Sequence, residues 1–175
     1  MTVDPTPSGL TTPTGATLAP VRTKGTSMGI RIGYAAGAFD LFHVGHLNLL
    51  RHAKSECDFL IAGVVSDELL EKNKGKRPVI PLIERLEIVQ SVQFVDRAVA
   101  ETEPTKYDMW KQLGFNVFFK GDDWKGTPKG LALEETFGRV GVEVVYFPYT
   151  VHTSSSFLRR TLELLNAPAV HEAAL

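Results

Sequence analysis

Gly37-Ala38-Phe39-Asp40-Leu41-Phe42-His43-Val44-Gly45-His46 is the stretch that decides how this chain reads. Before it lies a short apolar run, Ile30 to Ala36, with the look of a strand. After it, Leu47, Leu50 and Ala53, with Leu49, fall on one face of a helix. A strand, a Gly-containing turn and a helix N-terminus together make an anion site, because unpaired N–H groups and the positive end of the helix dipole point the same way. Two histidines three residues apart add ring donors on nearly one side of the first turn. The natural guest carries phosphate. The plainer alternative, two helix-start histidines with Gly37 and Gly45 serving only the turn, explains one histidine better than a pair. The familiar phosphate loops do not compete: there is no G-x-x-x-x-G-K-[ST], and Gly33 and Gly37 lack G-x-G-x-x-G spacing.

Outward from this turn the pattern alternates. Asp58 to Val65 is a continuous apolar run suited to a parallel strand buried on both faces. Ser66-Asp67-Glu68 starts a helix, and Glu71 to Pro78 reads as a basic loop broken by Gly75 and Pro78. A helix from Pro81 carries Leu82, Leu86 and Val89 on one face and continues to Val92. Val95 to Ala100, Asn116 to Lys120 and Val142 to Phe147 read as strands; Tyr107 to Leu113, Thr127 to Val140 and Ser154 to Leu165 read as helices, the last burying Phe157, Leu158, Leu162 and Leu165. Five strands alternating with helices predict an α/β fold, a mostly parallel sheet covered on both faces with right-handed crossovers. Ligands collect at the carboxyl ends of such strands. Asp40 to His46, Gly121 to Trp124 and Thr150 to Ser156 all fall there, which predicts one site.

The 175 residues suit a single domain over 28–175, preceded by a Pro-, Thr- and Gly-rich tail over 1–27 that is expected to be disordered. A net charge of -1 carries no nucleic-acid footprint. No apolar run approaches a membrane span, and no signal-peptide core is present. The single Cys57 fits a reducing compartment, hence a cytoplasmic protein, and reads as a small hydrophobe in the last turn of the first helix. Five histidines and one cysteine show no zinc-ligand spacing, so no resident metal site is expected.

The stretch from Gly37 to His46 resembles the signature of the cytidylyltransferase-like nucleotidyltransferases, whose core is His-x-Gly-His. It is similar in particular to that of bacterial glycerol-3-phosphate cytidylyltransferases, with Ala38 where those carry Thr. The resemblance runs from about Gly29 to Leu165. Lys74-Gly75-Lys76 stands at the family's basic loop, Glu84-Arg85 at its Glu-x-Arg segment but one residue tighter, Gly121-Asp122-Asp123-Trp124 at its Gly-Asp-Asp-Trp loop, and Ser154-Ser155-Ser156 at its Ile-Ser-Thr-Thr motif. It implies a Rossmann-like fold, a homodimer, and attack by a substrate phosphate on the α-phosphorus of CTP or ATP, with Mg²⁺ on the triphosphate.

On that resemblance His43, His46, Lys76 and Arg85 are the expected catalytic residues, Arg85 as a bidentate phosphate clamp. Ala38, Phe39, Gly45, His46, Gly121, Asp123, Trp124, Thr150, Ser154 and Ser155 are expected to bind the nucleotide, with Trp124 stacking on or walling the base. Asp40, Lys74 and Lys76 are expected on the acceptor side, Asp40 chiefly orienting the loop. Protonated imidazoles would serve best. Each role has a plainer counterpart: a solvated basic loop for the lysines, a surface ion pair for Arg85, core filling for Trp124, helix capping for the serines. Gln93 and Tyr149 stand where relatives carry Arg, so the acceptor is less defined than the reaction. Lys120-Gly121 and Arg77-Pro78-Val79 also resemble heptose-phosphate adenylyltransferases, which leaves the base open. A nucleotide sensor without turnover and a structural interaction protein are the competing classes.

Overall fold

The computed structural model describes residues 29–148 and 153–166. The tail over 1–27 therefore lies outside the described residues. Five strands, β1 (Ile32–Gly37), β2 (Phe59–Val65), β3 (Arg97–Glu101), β4 (Val117–Gly121) and β5 (Glu143–Phe147), form one sheet in the order β3-β2-β1-β4-β5. Every pairing is parallel. The connecting helices are α1 (Val44–Ser55), α2 (Asp67–Lys74), α3 (Leu82–Gln90), α4 (Lys106–Leu113), α5 (Pro128–Gly138) and α6 (Ser155–Leu165), with a 3-10 turn over Asp122–Trp124.

Side chains alternating along β1 and β4 divide the interior between two faces. Ala35, Val117 and Phe119 pack with Leu50 and Ala53 of α1 and Val89 of α3. Tyr34, Ala36 and Phe118 pack on the other face with Met109 of α4 and Phe137 of α5. Gly63 makes room for Tyr34, since a Cβ there would lie 2.0 Å from the tyrosine oxygen. That oxygen donates to Glu101 at 2.6 Å.

Strand order reverses beside β1: β2 and β3 lie to one side, β4 and β5 to the other. Such a switch point opens a crevice past the carboxyl ends of β1 and β4. The chain leaves β1 there through Gly37 to Phe42, which puts Phe39 (φ 49°) and Leu41 (φ 48°) in the left-handed region. Non-glycine residues adopt it at a cost of ~1–3 kcal/mol each. Burial of Phe39 and its ring contacts with Phe42 and His46 hold the turn in place.

Several expectations are corrected. α2 continues through Lys74, where Gly75 (φ 67°) ends it, so Glu71 to Lys74 is helix and the loop is shorter. α3 stops at Gln90, before Val92. Cys57 lies just past α1, half-buried beside Gly33, and burial pushes its thiol up to about 11. α6 does not bury its apolar residues: Phe157, Leu162 and Leu165 are exposed, Leu165 at 76%.

Candidate active site

One cavity of about 610 Å³ occupies the crevice. Ala38, Phe39, Asp40, His43, Gly45, His46, Lys74, Lys76, Gly121, Asp123, Ser154 and Ser155 all line it, so the structure brings together most of the residues singled out above. Thr150, with Tyr149 and His152, lies outside the described residues.

His43 caps α1, its Nδ1 accepting the Gly45 N–H at 3.0 Å. The proton of its neutral ring therefore sits on Nε2. The His46 ring lies 4.0 Å away, centroid to centroid. His46 Nδ1 is buried without a hydrogen-bond partner, which leaves Nε2 as the polar atom a neutral ring can present to the cavity. Burial, reinforced by His43, holds His46 down to about 3, and burial lowers His43 as well. In the free protein burial thus favours neutral rings, each able to donate one N–H.

Asp40 is 4% exposed and ties three segments together. Its carboxylate accepts from the N–H groups of Val79 (3.0 Å) and Ile80 (3.0 Å) and from the Arg159 guanidinium of α6 (2.7 Å). Ser155 Oγ donates to its backbone carbonyl at 2.7 Å. These partners occupy the carboxylate, which supports the orienting role. Burial would raise the Asp40 pKa, but the two N–H groups and Arg159 outweigh it and leave the carboxyl below its usual range. A lowered native pKa contributes stability above the ordinary value of 3.8, and the contribution is lost as pH falls through the lowered one. Asp40→Asn turns an amide NH₂ towards donors, and an expected loss of roughly 2–3 kcal/mol would appear in denaturant unfolding. Amide exchange at the start of α6 should speed up in the same variant; unchanged exchange there would mean that α6 is seated by other contacts.

Arg85 departs from its expected role. It is 0% exposed, and its guanidinium donates to the carbonyls of Ile80 (2.8 Å), Val65 (2.9 Å) and Ala38 and to Asp67 (2.5 Å). It does not line the cavity, and these bonds tie the β1 turn, the end of β2 and the start of α2 to the segment before α3. Trp124 also misses the main cavity: it lines a smaller recess with Thr127 and Pro128, so it does not wall this space. Ser154 caps α6 by accepting the Phe157 N–H at 3.2 Å.

Sequence reasoning gave no site role to Lys120, noted only in the Lys120-Gly121 resemblance, and passed over Arg159; both line the cavity. A lysine closing the apolar run Val117-Phe118-Phe119 is a readable signal for the first. Arg159 depends on where α6 docks, and nothing local announces it. Lys74, Lys76, Lys120, Arg159 and Arg160 face the cavity against Asp40, Asp123 and Glu163, a net positive wall. No helix among the described residues is long and apolar enough to cross a membrane.

A switch-point crevice with positive walls and paired imidazoles is the site this α/β fold presents. The chain belongs to the cytidylyltransferase-like family, which matches residues 34–165, and with it to the nucleotidyltransferases. It is 30% identical over 132 residues to an FAD synthase of Thermococcus sibiricus, covering 73% of this chain and 89% of that protein. It is 38% identical over 99 residues to the bifunctional protein HldE of Nitratiruptor, and 38% identical over 114 residues to an ethanolamine-phosphate cytidylyltransferase of Arabidopsis thaliana. Those matches cover 56% and 61% of this chain but only 21% and 27% of the relatives. Among solved structures, a lipopolysaccharide core biosynthesis protein of Thermoplasma volcanium aligns with TM-score 0.60 and 25% identity, over 71% of this chain and all of that one.

Proposed function

We propose that the protein transfers CMP from CTP to a phosphorylated alcohol, glycerol 3-phosphate being the first candidate, and releases pyrophosphate. The observation that carries the reading is the pair of neutral imidazoles at the start of α1, facing a cavity with excess positive charge. An acceptor phosphate oxygen attacks the α-phosphorus and the bond to the pyrophosphate oxygen breaks. The nucleophile is already an anion near neutral pH, so no strong base is required. The protein's task is positioning and stabilising charge on the α-phosphoryl oxygens. His43 and His46 donate to those oxygens, Lys74 and Lys76 neutralise phosphate, and Gly121 and Asp123 receive the nucleotide. Among the described residues no three His, Cys, Asp or Glu side chains cluster to hold a metal. Mg²⁺ suits such a site, since it is commonly held by substrate phosphates with one or two carboxylates. Asp40 is taken up by Val79, Ile80 and Arg159, which leaves Asp123 and Glu163 as the cavity carboxylates for that role. A homodimer in the cytoplasm is part of the same proposal.

The resemblance to ethanolamine-phosphate cytidylyltransferase favours CTP and a phosphoalcohol. Similarity to an FAD synthase and to HldE supports ATP as donor in the second reading, an adenylyltransferase whose candidate acceptor is a sugar phosphate, and a phosphonate acceptor is the remaining variant. Pyrophosphate release with Mg²⁺ separates them when CTP and ATP are each paired with glycerol 3-phosphate, phosphoethanolamine, phosphonates and sugar phosphates. Release only with CTP and a phosphoalcohol is the expected result. Release only with ATP would replace the donor. Triphosphate binding with no release for any pair would leave a sensor, not an enzyme.

A further inference from the structure

Among the described residues Lys120 is the partly buried cavity cation without a counter-ion; Lys74, Lys76 and Arg160, also without an ion pair, are exposed. Among the described residues its side chain makes no hydrogen bond or ion pair; its Nζ lies 4.4 Å from the centre of the Trp124 ring. Two nearby cations are paired. Arg159 is paired with Asp40, and Lys106 with Glu101, whose carboxylate also accepts from Tyr34. By strand alternation Lys120 shares a face with Phe118 and Tyr34, opposite the face that packs against α1. It therefore enters the cavity from the far side of the sheet edge relative to the histidines. A partly buried ammonium held only by an aromatic face gains most from an anion brought by a ligand.

We propose that Lys120 binds a second phosphate group in the cavity, distinct from the one met by His43 and His46, with Trp124 holding the lysine in place. The proposal rests on the nucleotidyltransferase reading and assigns a residue to it. Two sources share this chemistry: the outer phosphates of the nucleoside triphosphate and the phosphate of the acceptor. Burial lowers the Lys120 pKa to about 8, helped by Lys106 and Lys74 and opposed by Asp123 and Glu101. Its charge, and the affinity that depends on it, should therefore decline above that pH.

Calorimetric titration of the full chain with Mg²⁺-CTP, Mg²⁺-ATP and glycerol 3-phosphate tests this, using wild type, Lys120→Met and Lys120→Arg. Loss of a charge-assisted contact in Lys120→Met should weaken one ligand about ten- to a hundredfold, while Lys120→Arg keeps most of the affinity. Loss confined to the triphosphates would assign the outer phosphates, and loss confined to glycerol 3-phosphate the acceptor. Wild-type affinity for that ligand should fall between pH 7.5 and about 9 and that of Lys120→Arg should not, because an arginine stays charged there. A folded Lys120→Met that binds every ligand within about twofold of wild type would overturn the proposal and leave the nucleotidyltransferase reading standing. Wild type that binds none of them would overturn both.

Discussion

His46→Ala is expected to reduce turnover by about two to three orders of magnitude, with KM for the triphosphate much less affected. The estimate follows from what one preorganised donor contributes when it meets charge that develops only in the transition state. His46 is placed for that: its ring sits against Phe39 and Phe42, 5.3 and 5.5 Å between centroids, and lies 4.0 Å from the His43 ring at a 30° tilt. These contacts fix the ring before substrate arrives, so little is lost in ordering it during the reaction. Truncation also removes packing, and a fall in melting temperature alone would not support the assignment. His46→Asn separates the two effects, since it keeps an N–H donor and should recover part of the rate. The protonation state can be checked directly by NMR titration. A native pKa of about 3 means the His46 ring stays neutral as pH falls through 6.5, where an unfolded imidazole would charge. Stability from the neutral ring is thus complete above 6.5 and is lost as pH falls towards 3. A His46 resonance titrating near 6.5 in the free protein would contradict the burial argument.

Much of this site could be read from residue order because its signals are local. A strand followed by Gly37 and two histidines at helical spacing marks the anion site, and the run from Phe59 to Val65 announces a strand buried on both faces. Other features depended on long-range docking. Nothing near Arg85 shows that four acceptors from three segments converge on it. The apolar positions of α6 have helical spacing, yet the structure leaves Phe157 and Leu165 exposed, because periodicity identifies a face and not what covers it. Lys120 and Arg159 line the cavity from β4 and α6, and only the three-dimensional arrangement brings them there.

Arg85→Met should have the largest effect on stability, a loss of about 3–5 kcal/mol, the range for breaking a buried charge pair. That is a large fraction of the ~5–15 kcal/mol by which a domain of this kind is stable. The variant leaves the carbonyls of Ala38, Val65 and Ile80 without this donor and Asp67 without its cation. Ala38 opens the histidine turn, Val65 ends β2, Asp67 begins α2, and Ile80 precedes α3 and binds Asp40. One guanidinium therefore registers the turn, the helix that carries Lys74, and the segment that anchors Asp40. Arg85→Lys retains the charge but not the planar fork of donors, so it should recover only a minor share of the loss. Urea unfolding without ligand is the decisive measurement, because a phosphate clamp and a positioning residue then differ in sign. If Arg85 were the clamp, removing it would leave the unliganded protein as stable or more stable, and only KM would rise. As a positioning residue, its removal lowers stability before any substrate is added, and activity falls because Ala38 and Asp40 are no longer held in register.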